Sequence, residues 1–360
     1  MRILVATDAW LPQLNDVVRT LTSLAAALRR LGVEVGFLTP EGMRMMAVPG
    51  APDIRIAVPS RRQIATRIAD FAPDAIHIAT EGPVGLAVRR YCRRRRKPFT
   101  TSFHTRPAEY ASARWSIPES LAWGFLRWFH NAGRGIMASS ASLGDELGRR
   151  GFNDVLRWPP GVDAHLFRPQ PDASLGLLRP IFLTVGRVAA NRNIAAFLAL
   201  DLRGTKVVVG QGPARDDLAR RYPKTIFLGG NDGEELARIY AAADVFVFPS
   251  RTDTSGLVLL ESLACATPIA GFPVAATRDV IGNAPVAVLH EDLRTACLKA
   301  LEISRDACRA FAQTMTWDDS ARCFLDNIQR AGVVTSARPI LDAIKAAARA
   351  ERKTAAPAIG

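Results

Sequence analysis

Val245-Phe246-Val247-Phe248-Pro249-Ser250-Arg251-Thr252-Asp253-Thr254-Ser255-Gly256-Leu257-Val258-Leu259-Leu260-Glu261 is the stretch on which the reading of this chain turns. Its first four residues are apolar throughout, as in a parallel strand buried on both faces. A polar turn follows, and then an apolar run that reads as a helix. Exposed amides at that helix's N-terminus, aided by its dipole, make a natural diphosphate site. Asp253 stands just before the helix and Glu261 about two turns further on, so one carboxylate can meet a sugar hydroxyl and the other a ribose diol. A plainer account is open at this point: Asp253 or Thr254 caps the helix, and Glu261 pairs with a surface arginine.

The same strand–turn–helix unit recurs on both sides of this stretch. Upstream, strands are expected near Ile3–Ala6, Glu34–Leu38, Ile54–Ala57, Ala75–Ile78, Phe99–Ser102, Gly135–Ala138 and Val155–Arg157. Helices are expected near 17–31, 61–71, 83–95, 119–131 and 141–149. A Pro-punctuated segment, Phe167-Arg168-Pro169-Gln170-Pro171 to Pro180, interrupts the pattern as a linker does. The alternation then restarts, with strands near Ile181–Val185, Lys206–Val209, Thr225–Leu228, Val245–Phe248, Ile269–Ala270 and Val286–Val288. The expected architecture is α/β: two Rossmann-like, doubly wound parallel-sheet domains facing across a cleft, with ligands at the carboxyl ends of strands. The expected boundaries are 1–166, a linker over 167–180, 181–316, a helix over 317–334 crossing back to the first domain, and a basic Ala-rich tail over 335–360.

At 360 residues, two cores are expected on size alone. With 48% hydrophobic and 22% charged residues, wholesale disorder is excluded. The five cysteines include no C-x-x-C pair and the five histidines no H-x-x-x-H spacing, so neither a disulfide framework nor a metal centre is expected. The N-terminus, Met1-Arg2-Ile3-Leu4-Val5-Ala6-Thr7, reads as a first strand rather than a leader, and no apolar run reaches bilayer-spanning length. A net charge of +13 implies an anionic partner without saying which.

The 253–261 segment resembles the E-x7-E region of glycosyltransferase family 4, a retaining family of the GT-B fold, in the form D-T-S-G-L-V-L-L-E. The resemblance runs along nearly the whole chain. It takes in Asp8-Ala9-Trp10-Leu11-Pro12-Gln13-Leu14-Asn15 with Val17-Val18-Arg19-Thr20, and Ser102-Phe103-His104-Thr105-Arg106. It continues through Pro160-Gly161-Val162-Asp163, Val185-Gly186-Arg187, Val209-Gly210-Gln211-Gly212-Pro213 and Ala264-Cys265-Ala266-Thr267-Pro268. Within the family the chain is similar to the bacterial diacylglycerol glycosyltransferase and lipid α-mannosyltransferase branch.

That resemblance implies a hexosyl transfer from a UDP- or GDP-linked sugar, with no cofactor and no metal, to a lipid or lipid-linked acceptor. The implied catalytic residues are His104, Arg187, Asp253 and Glu261. Donor contacts are implied for Asn15, Asp16, Arg187, Arg192, Gly210, Gly212, Asp253, Thr254, Ser255, Gly256, Leu257 and Glu261. Arg187 would offset charge developing on the leaving diphosphate, and His104 would position the sugar rather than act as an obligate base. The chain departs from the family pattern at Asp16 (commonly Gly), Arg192 (Lys), Asp253 (Glu), Ser255 (Phe) and Ala266 (Gly). These departures fit a retuned donor or acceptor preference, or a weakened, non-catalytic relative. A sugar-nucleotide epimerase or a phosphorylase shares the architecture, but neither the extra acid–base carboxylates of the one nor the cofactor lysine of the other can be picked out. For Gly210 and Gly212, simple turn chemistry explains the glycines equally well.

Two further segments bear on partners. Arg89-Arg90-Tyr91-Cys92-Arg93-Arg94-Arg95-Arg96-Lys97 is a cationic run at a helix end, suited to anionic headgroups through Arg93, Arg94, Arg95 and Arg96 or simply to solvent and the helix dipole. Leu121-Ala122-Trp123-Gly124-Phe125-Leu126-Arg127-Trp128-Phe129 places aromatics on more than one helical face, so Trp123 and Trp128 read as membrane or acceptor contacts, with core packing as the alternative. With no nucleic-acid motif and no stacking aromatics beside the run, an anionic membrane is the expected partner surface. The expected location is cytoplasmic, peripheral to the inner face of the membrane.

Overall fold

Two six-stranded parallel sheets organise the chain, each in its own unit. The structure, a computed structural model, describes residues 1–10, 15–48, 51–104, 118–251 and 256–334, with backbone alone for 51–54. One unit is built from Met1–Pro159 and the helix beginning at Trp317, the other from Pro160–Thr316.

In the first unit the strands are β1 (Arg2–Ala6), β2 (Glu34–Leu38), β3 (Arg44–Val48), β4 (Ala51–Val58), β5 (Ala75–Ile78), β6 (Thr100–Phe103), β7 (Ile136–Ala138) and β8 (Val155–Arg157). The sheet runs β2-β1-β5-β6-β7-β8. All its ladders are parallel. The segment around Ile54–Ala57, expected as a sheet strand, instead pairs antiparallel with β3 as a separate ribbon. Helices α1 (Asp16–Arg30), α2 (Arg61–Phe71), α3 (Pro83–Arg94), α4 (Glu119–His130) and α5 (Ala141–Arg149) follow the strands. Four of them begin where capping chemistry allows: Asn15, Ser60 and Ser140 accept from first-turn amides of α1, α2 and α5, and Pro83 occupies the first turn of α3.

The second unit holds β9 (Ile181–Val185), β10 (Thr205–Val209), β11 (Ile226–Gly229), β12 (Val245–Phe248), β13 (Ile269–Gly271) and β14 (Ala287–Leu289). Their order is β11-β10-β9-β12-β13-β14. Between them lie α6 (Ile194–Leu198), α7 (Arg215–Arg221), α8 (Gly233–Ala242), α9 (Leu257–Ala264) and α10 (Ala275–Ile281), and α11 (Leu293–Ala300) and α12 (Arg305–Gln313) follow β14. Strand alternation splits the core cleanly. Ile181, Leu183, Val207, Val209, Phe246 and Phe248 enter one cluster. Phe182, Val208, Val245 and Val247 enter the cluster on the other face. That two-sided burial is why the four-residue run at 245–248 is apolar at every position.

Helix α13 (Trp317–Arg330) packs within the first unit. Trp158 Nε1 donates to Ser320 Oγ at 3.0 Å, and Asn327 Nδ2 donates to the Arg157 carbonyl at 2.8 Å. These bonds fix α13 to the end of β8.

Candidate functional site

In the second unit the strand order reverses between β9 and β12, so the loops leaving these neighbours turn to opposite faces and open a crevice at their carboxyl ends. Arg187 stands on the β9 loop, exposed, with no hydrogen bond or ion pair among the described residues. Arg192 ends the 3₁₀ turn Ala190–Arg192 and is partly buried. Asn193 follows in a left-handed conformation (φ 53°), and its Nδ2 donates to the Pro249 carbonyl of the β12 loop at 3.0 Å. The β12 loop is held a second way: the Arg251 guanidinium lies 3.8 Å over the Phe272 ring and pairs with Glu291 at 3.1 Å.

Gly210 and Gly212 have a packing reason to be glycine. A Cβ on Gly210 would sit 1.9 Å from the Gly186 carbonyl oxygen, and one on Gly212 2.2 Å from that of Val188. The β10 loop therefore lies directly against the β9 loop that carries Arg187, bonded to it by Gly186 N to Val209 O and Val188 N to Gln211 O, both 2.9 Å. Gly256 caps α9 without a side-chain hydrogen bond, and Leu257 is buried. Asp253, Thr254 and Ser255 lie outside the described residues. Glu261 is 4% exposed, so it is a buried carboxylate rather than a surface one. Its Oε2 accepts from the buried Tyr240 hydroxyl at 3.2 Å.

The first unit reverses strand order between β1 and β5. Asp8, just past β1, accepts from Thr80 Oγ1 (2.9 Å), Val84 N (2.7 Å) and Gly85 N (3.2 Å), so it caps α3 from a neighbouring loop. Burial raises its carboxyl above the usual range, against these hydrogen bonds. Asn15 caps α1, accepting from Val18 N at 3.0 Å, and Asp16 is the first residue of that helix. A carboxylate there suits the helix dipole and occupies the positive end that an anion would otherwise use.

His104 follows β6. Its Nε2 lies 2.8 Å from Ser102 Oγ and its ring meets Trp158 edge-on at 5.7 Å. Burial, opposed by Glu81 and reinforced by His130, holds it down to about 4. His77, on β5, is fully buried, and burial first, then His104 and His130, push it down to about 3. Its Nδ1 contacts Thr100 Oγ1 at 2.9 Å and its Nε2 contacts Ser102 Oγ at 3.0 Å. Both imidazoles are neutral at neutral pH. Sequence reading singled out His104 but not His77, Ser102 or Asp8; the available signal was a histidine interrupting the apolar strand Ala75-Ile76-His77-Ile78.

The cationic run divides. Arg93, Arg94, Arg95, Arg96 and Lys97 are exposed. Arg89 is not: it is 6% exposed, donates to the Trp128 and Phe129 carbonyls at 2.6 and 3.0 Å, and lies 3.7 Å over the Trp128 ring. The aromatic helix divides as well. Trp123, expected as a membrane or acceptor contact, is 6% exposed, stacked on Phe103 at 6.0 Å and covered by Arg150 at 4.0 Å, so it is a core residue. Trp128 is 54% exposed, and with Leu121 and Phe125 it follows helical spacing along the outer face of α4.

Residues 17–166 match the family described as Glycosyltransferase Family 4, and residues 179–304 the one described as Glycosyl transferases group 1. The chain is 28% identical over 314 residues to a GDP-mannose-dependent alpha-mannosyltransferase of Mycobacterium tuberculosis, covering 78% of this chain and 81% of that one. It is 26% identical over 350 residues to an alpha-monoglucosyldiacylglycerol synthase of Streptococcus pneumoniae, covering 85% and 79%. In fold it is similar to a sucrose-phosphate synthase from Thermosynechococcus elongatus, with a TM-score of 0.75 at 18% identity over 93% of this chain and 100% of that one.

Proposed function

Since the chain belongs to glycosyltransferase family 4 and is a nucleotide-sugar-dependent glycosyltransferase, we propose that it is a retaining hexosyltransferase acting on lipid. The donor is a UDP- or GDP-linked sugar, and the acceptor a lipid or lipid-linked hydroxyl at the inner face of a membrane. Relatives named for GDP-mannose and for a glucosyldiacylglycerol support both halves of this reading. The second unit takes the donor. Arg187 and Arg192 meet its diphosphate with the amides at the start of α9, while Asp253 and Glu261 take hydroxyls of the sugar and ribose. His104, in the first unit, is assigned the role that the family resemblance gives it, positioning the transferring sugar.

The observation that carries the reading is the position of Arg187, an exposed guanidinium at the strand-order reversal. The C–O bond between the anomeric carbon and the diphosphate breaks as negative charge builds on the leaving oxygen. A cation there stabilises that charge more in the transition state than in the ground state. The acceptor hydroxyl attacks from the face the diphosphate leaves, and its proton passes to the departing diphosphate. No strong protein base is needed, in keeping with a His104 that burial holds down to about 4.

The test is a donor panel (UDP- and GDP-linked glucose, galactose and mannose) presented with anionic vesicles containing diacylglycerol or phosphatidylinositol. Radiolabel appearing on lipid with the α-anomer intact supports the proposal. Transfer only to water-soluble sugars overturns the lipid acceptor, and an inverted product overturns retention.

A further inference from the structure

Strand β6 reads Thr100-Thr101-Ser102-Phe103, and alternation sends Thr100 and Ser102 to one face and Thr101 to the other. On the first face, His77 lies between the two hydroxyls, and Ser102 connects it to His104. Every member is a hydrogen-bonding group whose proton must go somewhere. The direction of the chain is therefore decidable.

Thr100 is fully buried, and among the described residues its hydroxyl has one partner, Nδ1 of His77. If His77 carried its proton on Nδ1, Thr100 Oγ1 would accept and its own hydrogen would be buried without an acceptor. Orphaning a buried donor costs about 1–3 kcal/mol. The opposite direction leaves no buried hydroxyl hydrogen of the chain unpaired. Thr100 O–H donates to His77 Nδ1, and His77 Nε2–H donates to Ser102 Oγ. Ser102 has a single proton, which then goes to His104 Nε2. His104, with Nε2 occupied as an acceptor, holds its own proton on Nδ1.

From this geometry we infer that Thr100, His77 and Ser102 are positioning residues whose one-way hydrogen-bond relay holds His104 as an Nδ1–H donor. The inference rests on the reading of His104 as a residue beside the transferring sugar. It deepens that reading: His104 presents a proton to a sugar or phosphate oxygen and offers no lone pair to take the acceptor's proton. The low titration range of both imidazoles keeps a second proton from scrambling the chain. The other face of β6 repeats the logic. Thr101, fully buried, contacts His130 Nδ1 at 2.8 Å, and His130 Nε2 faces Glu81 Oε1 at 3.0 Å, so that ring also takes a hydroxyl proton on Nδ1 and donates from Nε2.

The experiment is ¹⁵N NMR of the full-length protein labelled at its five histidines, with His104→Gln assigning the His104 signals. The expected spectrum shows His104 protonated at Nδ1 and bare at Nε2. Thr100→Val, which removes the hydroxyl and keeps the shape, is expected to abolish the single tautomer and lower kcat about tenfold with donor KM little changed. Thr100→Ser is expected to restore both. A wild-type His104 protonated at Nε2, or a Thr100→Val protein that keeps the Nδ1–H tautomer, overturns the relay. Loss of that tautomer with unchanged kcat overturns its role in turnover. The underlying reading fails separately: it falls if His104→Gln turns over like the wild type, whatever the tautomer.

Discussion

The side-chain amide of Asn193 donates to the carbonyl oxygen of Pro249, joining the loop after β9 to the loop after β12 at the point where the strand order reverses. Asn193 also holds a positive φ of 53°, a conformation asparagine tolerates better than most residues. Asn193→Ala loses both features and is expected to destabilise the protein by about 1–2 kcal/mol. Asn193→Gly keeps the backbone conformation and loses only the bond. If the bond positions the loop that leads into α9, both variants raise the donor Kd severalfold in calorimetric titration. A donor Kd raised by alanine alone would assign the effect to backbone strain.

Arg187 is exposed and makes no hydrogen bond or ion pair among the described residues, so its removal has little to disturb in the fold. Arg187→Ala is expected to leave stability within about 0.5 kcal/mol while lowering kcat by about 10²–10³, the usual size for a lost charge-stabilising donor. Arg187→Lys keeps the charge without the planar fork and is expected to recover only part of that loss. Turnover and thermal melting on the same preparations check this. A melting shift matching the activity loss would show that Arg187 serves the fold.

Both parallel sheets were legible because their strands are buried on two faces, which leaves apolar runs such as Ile181–Val185 and Val245–Phe248 in the sequence. Strand β3 was not. Arg44-Met45-Met46-Ala47-Val48 has no buried residue and among the described residues pairs with β4 alone, so no hydrophobic pattern marks it. The histidine relay was invisible for another reason. His77, Thr100 and Ser102 meet through the β5–β6 register, which pairs His77 with Thr100 across the sheet, and no local spacing encodes that. The two faces of α4 were legible in principle. Trp123, Leu126 and His130 follow one helical stripe into the core, whereas Leu121, Phe125 and Trp128 follow the opposite one outward. Asp253, Thr254 and Ser255 remain sequence expectations, since they lie outside the described residues.

Acidification is expected to destabilise the protein well above the carboxylate range. Histidines in the unfolded chain protonate near 6.5, whereas folded His77 and His104 resist until about 3 and about 4. Between those limits the unfolded state binds more protons, so unfolding free energy rises with pH there and falls as pH drops below about 6.5. At pH 5 His77 alone accounts for on the order of 2 kcal/mol, and the partly exposed His104 for less. Asp8, whose carboxyl is raised by burial, pulls the other way, only around the carboxylate range. Urea unfolding at pH 7.5 and 5.0 checks this. His77→Gln is expected to flatten the difference between the two pH values; an unchanged difference would place the titrating group elsewhere.

No described helix is long and apolar enough to cross a membrane. The proposed lipid acceptor calls for a membrane-facing patch on the protein. The outer face of α4 offers Leu121, Phe125 and Trp128, at 66%, 41% and 54% exposure, and Arg89 ties that helix to α3, whose end carries Arg93–Arg96. Apolar side chains that enter the headgroup region beside cations that meet anionic lipid would bind additively, and only the cationic part is screened by salt. Neutralising Arg93–Arg96 is expected to weaken sedimentation with anionic vesicles and to leave binding less salt-dependent. Phe125→Ser with Trp128→Ser is expected to weaken binding to neutral and anionic vesicles alike, with salt dependence retained. Arg89→Gln would confuse the comparison, since it unpins α4 from α3 as well as removing a charge. If the serine pair binds vesicles like the wild type while the arginine variant does not, the attachment is electrostatic alone and α4 stays in water.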